Sequence, residues 1–217
     1  MTLRRAAAAA VLAAAACAAH SQVVVVNEGF NDVTTLAGSG WVLNNASTPI
    51  GPVANWFQGD QTVFAAFAGA PQAYIASNFN NAAPGGTLAN FLFTPVFTTQ
   101  GGGTVSFWAR SPSGETGFTD HIRVGRTMGG TTPGDFIQVG TDITLTDTWT
   151  QYSFSIAAQG VGATGRAVIE YFGLGDTSNY VGVDSVNVNV VPEPETWALV
   201  GLGLAALGIV KRRRKPA

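Results

Sequence analysis

The stretch Thr104-Val105-Ser106-Phe107-Trp108-Ala109 decides the fold, because its valine, first aromatic residue and alanine alternate with other side chains. Alternation with a period of two places one set of side chains on the buried face of a β-strand. The same pattern recurs in four later segments: His121–Val124, Tyr152–Ile156, Ala167–Tyr171 and Val181–Val190. Clusters of glycine and proline separate these segments, and no segment between the two termini has a convincing helical periodicity. The sequence therefore predicts an all-β, jelly-roll-like antiparallel β-sandwich.

The last of these segments contains an irregularity. Valines occupy positions 181 and 183 and then positions 186, 188 and 190, so the alternation changes phase at Asp184-Ser185. One extra residue in a strand shifts the alternation in this way. We therefore predict a bulge or a similar irregularity at Asp184-Ser185.

The C-terminal segment, residues 192–217, has a different composition from the predicted sandwich. Pro192-Glu193-Pro194 precedes an uncharged stretch from Thr196 to Val210. A basic cluster then follows, made of Lys211, Arg212, Arg213, Arg214 and Lys215. The uncharged stretch is shorter than the ~20 residues that usually span a bilayer, so membrane thinning or snorkelling of the first lysine would have to compensate. We predict a single transmembrane sorting helix with its basic end in the cytoplasm. A buried amphipathic helix is the alternative, but the stretch has no polar face.

The N-terminal segment, residues 1–21, has the pattern of a secretory signal peptide. Arg4 and Arg5 precede an alanine-rich apolar run from Ala6 to Ala19. Small residues follow, as at a signal-peptidase site, and we expect cleavage between Ala18 and Gln22. The single cysteine, Cys17, lies inside this segment. A lipoprotein acylated on this cysteine is the alternative, although the residue three positions before it is alanine where such signals usually have leucine.

The intervening residues 22–191 are sufficient for one domain with its own core. Seven of the eleven lysines and arginines and two of the thirteen acids lie in the terminal segments. The remaining four arginines and eleven acids give the domain a net charge of about −7. Such a surface repels polyanions, so we expect no binding to nucleic acid.

The C-terminal segment resembles the PEP-CTERM sorting signal of Gram-negative bacteria, because Pro192-Glu193-Pro194, the apolar stretch and the basic end occur in the family's order. The resemblance implies export across the inner membrane, transient anchoring there and processing by an exosortase. The protein would then be released or transferred to the cell surface.

The domain resembles the choice-of-anchor J family, which is related to the cleaved-adhesin and MAM-like jelly rolls. The matching segments are Asn27–Phe30, Gly40-Trp41, Asn55–Phe57, Phe91–Pro95, Gly103–Arg110 and Asn179–Val186. In the closing segment, Ser185 stands where the family has a second acidic residue. The resemblance implies a fold and an extracellular location, but no particular activity.

Two pairs of residues are candidate binding sites. Trp56 and Phe57 lie in a polar loop and could stack on sugar rings, although packing in the core or at its rim is the default interpretation for this and the other sandwich tryptophans. Glu28 and Asp184 would approach each other if the first and last strands pair. Two carboxylates with backbone carbonyls could hold a structural Ca²⁺. The alternative is that Glu28 accepts backbone N–H groups or faces solvent, and that Asp184 stabilises the irregular strand. We expect no cofactor to be required.

Catalytic motifs are absent from the sequence. His121 is the only histidine between residue 22 and the C-terminus, and there is no Gly-x-Ser-x-Gly, His-Glu-x-x-His or phosphate loop. We therefore predict a non-enzymatic cell-surface or matrix protein, associated with exopolysaccharide, biofilm or adhesion. A carbohydrate-binding module with a defined glycan site is the first alternative, and a glycan hydrolase is the second.

Overall fold

A computed structural model describes residues 22–114 and 116–192. The strands in this part of the chain are numbered β1 to β14. Their bounds are Val23–Glu28, Val42–Asn45, Thr48–Ile50, Phe57–Gln58, Ile75–Asn78, Ala82–Phe93, Phe97–Thr98, Gly103–Arg110, His121–Thr127, Ile137–Gln138, Ile143–Thr144, Thr150–Ile156, Thr164–Leu174 and Tyr180–Val190. Four 3₁₀ helices accompany them, at Val33–Ser39, Phe79–Asn81, Pro133–Asp135 and Gly175–Thr177.

The strands form two antiparallel sheets. The six-stranded sheet has the order β12-β8-β14-β5-β4, with β1 beside the second half of β14. The eight-stranded sheet has the order β10-β9-β13-β6-β2, with β11, β3 and β7 as short additions on β9, β6 and β13. All strand pairs are antiparallel, which confirms the predicted jelly-roll-like sandwich.

The core lies between the two sheets and follows from the alternation in the sequence. In β8, Val105, Phe107 and Ala109 are buried, whereas the residues between them are partly exposed. Ile122 and Tyr171, from β9 and β13 of the other sheet, belong to the same apolar cluster. Burial of each large apolar side chain stabilises the fold by roughly 1.5–3 kcal/mol.

The predicted irregularity in the last strand is present. The pairing of β14 with β8 changes register between Asp184 and Asn187, and Ser185 adopts a positive φ of 51°. The bulge restores the inward orientation of the later valines, so Val186 and Val188 are buried like Val183.

The outer face of the six-stranded sheet is also covered. Tyr180 and Gly182 point away from the core, since they alternate with Val181 and Val183. Phe64, from the loop between β4 and β5, packs on this face in a second aromatic cluster. A Cβ on Gly182 would lie 2.7 Å from the Phe64 ring, so only glycine allows the ring to lie this close to the strand.

No helix of the described residues is long and apolar enough to cross a membrane. The predicted transmembrane sorting helix at residues 196–210 and the predicted signal peptide at residues 1–21 lie outside the described residues.

Candidate functional site

The positions of Trp56 and Phe57 agree with packing, the default interpretation, rather than with the alternative that they stack on sugars. Trp56 is only 4% exposed and belongs to the main core, so neither face of its ring is open to a ligand. Its indole Nε1–H has no hydrogen-bond partner within the described chain. Phe57 is partly buried and packs edge-on against Tyr180, with ring centroids 5.9 Å apart.

The other tryptophans of the sandwich also pack in the core or at its rim, as the default interpretation of the sequence states. Trp41 is buried in the core and packs edge-on against Phe30. Trp108 stacks on Phe67 at 3.8 Å, and Trp149 donates its indole N–H to the Ala65 carbonyl at 2.9 Å. These rings pack in the core and against the outer face of the six-stranded sheet.

The first and last strands pair as expected, and Glu28 lies opposite Val186, close in register to Asp184. Each carboxylate, however, accepts backbone hydrogen bonds. Glu28 Oε1 accepts the N–H of Phe30 at 2.7 Å, and Asp184 Oδ2 accepts the N–H of Ala68 at 3.0 Å. Burial raises the pKa of the Asp184 carboxyl, although hydrogen bonds from the chain partly offset this effect.

An oxygen-only set of this kind suits a hard cation such as Ca²⁺. Within residues 22–114 and 116–192, however, no group of three or more histidine, cysteine or acidic side chains could hold a metal ion. The calcium site stays a prediction.

Asp120 organises one end of the sandwich. It is buried and accepts hydrogen bonds from the Tyr171 hydroxyl at 2.6 Å and from the Asn179 backbone N–H at 2.8 Å. Burial raises the pKa of the Asp120 carboxyl, and the hydrogen bonds only partly offset this effect. The bonds join the start of β9 to the turn before β14. His121, beside it, has its Nδ1 3.2 Å from the Thr144 hydroxyl across the β9–β11 pair.

A cavity of about 520 Å³ opens at this end of the sandwich. Its walls come from three segments: the β5–β6 junction, the loop before β9 and the 3₁₀ helix before β14. We call it the end cavity, and it is lined chiefly by Phe79, Asn80, Phe118, Asp176, Ser178 and Asn179. Its size is within the range of small-molecule pockets, ~300–1,000 Å³.

Backbone contacts hold the three walls together. Phe79 donates its N–H to the Asn179 carbonyl at 2.9 Å, and Thr119 donates its N–H to the Thr177 carbonyl at 2.9 Å. Asp176 Oδ1 accepts the N–H of Gly85 at 2.9 Å. Asp176 thus caps a turn and also lines the cavity.

The end cavity was not predicted from the sequence. Phe79 begins a 3₁₀ helix and Phe118 lies in a loop, both in polar stretches outside the alternating segments, and each residue is 43% exposed. An aromatic residue in a loop, away from the apolar faces of the strands, was the available signal. Nothing in the sequence indicates that these two segments meet.

The sorting motif begins where the sandwich ends. The last strand ends at Val190, and Pro192 is the final described residue. Glu193, Pro194 and the basic cluster at residues 211–215 lie outside the described residues.

Comparisons with known proteins agree with both parts of the chain. The family described as PEP-CTERM protein-sorting motif matches residues 190–215. The K1 cleaved adhesin domain of Lys-gingipain from Porphyromonas gingivalis is 19% identical, with a TM-score of 0.57, over 75% of this chain and 96% of that one. The K3 cleaved adhesin domain of the same protein is 20% identical, with a TM-score of 0.54, over 76% of this chain and 98% of that one.

No curated protein matches the sequence. The two adhesin domains are similar to this chain at a level of identity that shows the fold alone. The chain therefore carries a β-sandwich with the fold of cleaved adhesin domains, followed by the PEP-CTERM sorting motif of an exported protein.

Proposed function

We propose that the protein is exported, sorted through its C-terminal motif and displayed outside the cell as a non-enzymatic surface or matrix component. The observation that carries the proposal is the shared boundary of the two parts. The motif match begins at residue 190, which is also the last residue of β14. Cleavage at Pro192-Glu193-Pro194 would therefore leave every described strand intact, because the last strand ends at Val190.

The processing steps follow from the two terminal segments. Signal peptidase would cleave before Gln22, and the apolar stretch at residues 196–210 would hold the protein transiently in the inner membrane. The basic residues after it would stay in the cytoplasm. An exosortase would then act near Pro192-Glu193-Pro194, and the sandwich would pass to the cell surface or the medium.

The chemistry of the sandwich is compatible with a role in exopolysaccharide or biofilm organisation. The domain has few charges and a net charge of about −7, so it would remain soluble and would not bind polyanions unspecifically. The two structurally similar domains of Lys-gingipain are named cleaved adhesin domains, and adhesion is the corresponding proposal here.

A localisation experiment in the producing bacterium tests the proposal. An epitope would be inserted at the exposed Gly114 turn, and cytosol, membrane, surface and medium would be assayed for the tagged protein. We expect the wild-type chain at the surface or in the medium, without its C-terminal tail. Replacement of Pro192-Glu193-Pro194 by three alanines should trap the uncleaved chain in the membrane fraction. An unchanged distribution of this variant, or a cytosolic wild-type chain, would contradict the proposal.

A further inference from the structure

We propose that the end cavity is a binding site for a neutral saccharide. The inference rests on the proposed export, because it assigns to the displayed sandwich a ligand of the extracellular matrix. It places the glycan site at Phe79 and Phe118 rather than at the buried Trp56.

Two exposed aromatic rings provide the apolar contact surface. Phe79 and Phe118 both line the cavity and are equally exposed, at 43%. Neither ring pairs with another aromatic ring in the described part of the chain, in contrast to Phe57, Phe64 and Phe67. The C–H face of a sugar ring is the matching partner, because it is apolar while the rim of the same ring carries hydroxyl groups.

Polar groups lie beside the rings and can bind those hydroxyls. Asn80 and Asn179 are partly buried at the cavity, and their backbone groups already have partners. Ser178 is 1% exposed, and its hydroxyl has no hydrogen-bond partner within the described chain. An apolar wall with a few fixed polar groups is the usual composition of a small-molecule site.

The charge of the cavity selects neutral sugars. Among the residues that the structure describes, Asp176 is the only charged one that lines it, and its Oδ1 accepts the N–H of Gly85. No described lysine or arginine is part of the lining, and the domain as a whole is acidic. Uronic acids and sulfated sugars would therefore be repelled, whereas a neutral hydroxyl could donate to the carboxylate.

The position of the cavity suits a displayed ligand site. Ser178 and Asn179 directly precede β14, whereas the chain leaves the sandwich at Val190, the far end of the same strand. At ~3.3 Å per residue, the eleven residues of β14 separate the two points by roughly 35 Å. The cavity therefore lies at the end of the sandwich opposite to the point where the sorting motif begins.

Titration calorimetry on the exported protein, purified from the producing cells, tests this inference. The probes are the producer's own exopolysaccharide, depolymerised and separated into neutral and acidic fractions, with neutral cello-, manno- and xylo-oligosaccharides. The variants are Phe79→Ala, Phe118→Ala and Asp176→Asn, which keeps the acceptor for Gly85. Phe67→Ala is the matched control, because it removes an equally exposed ring, at 42%, outside the cavity.

We expect saturable binding of at least one neutral probe and no binding of the acidic fraction. Phe79→Ala and Phe118→Ala should each weaken binding by about tenfold or more at unchanged melting temperature, and Phe67→Ala should bind like wild type. Failure of every neutral probe, preference for the acidic fraction, or wild-type affinity in both cavity variants would overturn the inference. Correct export without glycan binding would remove this inference only, whereas a cytosolic protein would remove the proposed function itself.

Discussion

Replacement of Glu170 by glutamine should stabilise the protein above neutral pH. The Glu170 carboxyl lies on β13 and points to the outer face of the eight-stranded sheet, where its side chain is 6% exposed. Arg123, opposite it on β9, is 3.7 Å away and is also bound to Asp142 at 3.1 Å. Burial raises the pKa of Glu170 from 4.5 to about 7, although Arg123 opposes this effect.

The sign of the pH dependence follows from this raised pKa. Below pH 4.5 the carboxyl is protonated in both the folded and the unfolded protein, and its contribution to stability is fully present. As the pH rises through 7, the folded protein must ionise a buried group, and that contribution is lost. The difference between the pKa values of 4.5 and about 7 corresponds to about 3 kcal/mol of unfolding free energy. Solvent screening reduces the expected loss of unfolding free energy to roughly 2 kcal/mol.

Urea unfolding at pH 4.5 and at pH 8, followed by tryptophan fluorescence, measures the effect. Raising the pH from 4.5 to 8 should increase the unfolding free energy of Glu170→Gln, relative to that of wild type, by roughly 2 kcal/mol. Arg123→Gln should steepen the pH dependence of the wild-type carboxyl, because it removes the opposing cation. If Glu170→Gln proved less stable than wild type at pH 8, attraction to Arg123 would outweigh burial and the reasoning would be wrong.

Three further predictions concern other parts of the molecule. Gly182→Ala should lower the unfolding free energy by about 1–3 kcal/mol, because the new Cβ would crowd the Phe64 ring at 2.7 Å. Gly38→Ala, whose Cβ would meet nothing within 4 Å, should unfold within about 0.5 kcal/mol of wild type in the same urea titration. If the calcium site exists, millimolar Ca²⁺ should raise the melting temperature, and Asp184→Asn should abolish this response; equal melting curves in Ca²⁺ and in a chelator would remove the site. Glu193→Ala should increase the membrane-bound precursor on immunoblots of cell fractions, and unchanged processing would show that this carboxylate is not needed for recognition.

The strands with alternating side chains, β8, β9, β12, β13 and β14, were predictable because their signal is local. In β8 the burial of Val105 and Phe107 follows directly from a period of two. The bulge at Asp184-Ser185 was predictable for the same reason, since one added residue changes the phase of the valines. These features depend on neighbouring residues of one strand and need no knowledge of distant parts of the chain.

The orientation of loop side chains was not predictable in the same way. Trp56 occupies the core because Asn55 fixes the backbone before it. The Asn55 side-chain amide donates to the Leu43 carbonyl at 2.9 Å, and the Asn81 side-chain amide donates to the Asn55 backbone carbonyl. These partners are distant in sequence, so composition alone could not distinguish an inward ring from an exposed one.

The end cavity could not be predicted from the sequence for a related reason. Phe79, Phe118 and Asp176 are separated by about forty to sixty residues each, and only the pairing of β5 and β9 with their neighbours brings their loops together. Exposed aromatic residues outside the alternating strands were visible, but their convergence depends on the topology of both sheets.

The mass of the intact protein, measured in the cytosolic, membrane and extracellular fractions, tests the central claim most directly. Export through a removable C-terminal motif predicts an extracellular species that begins near Gln22 and ends near Pro192, together with a longer membrane-bound precursor. A full-length chain from Met1 to Ala217 that accumulates in the cytosol, with no shortened form outside the cell, would contradict it.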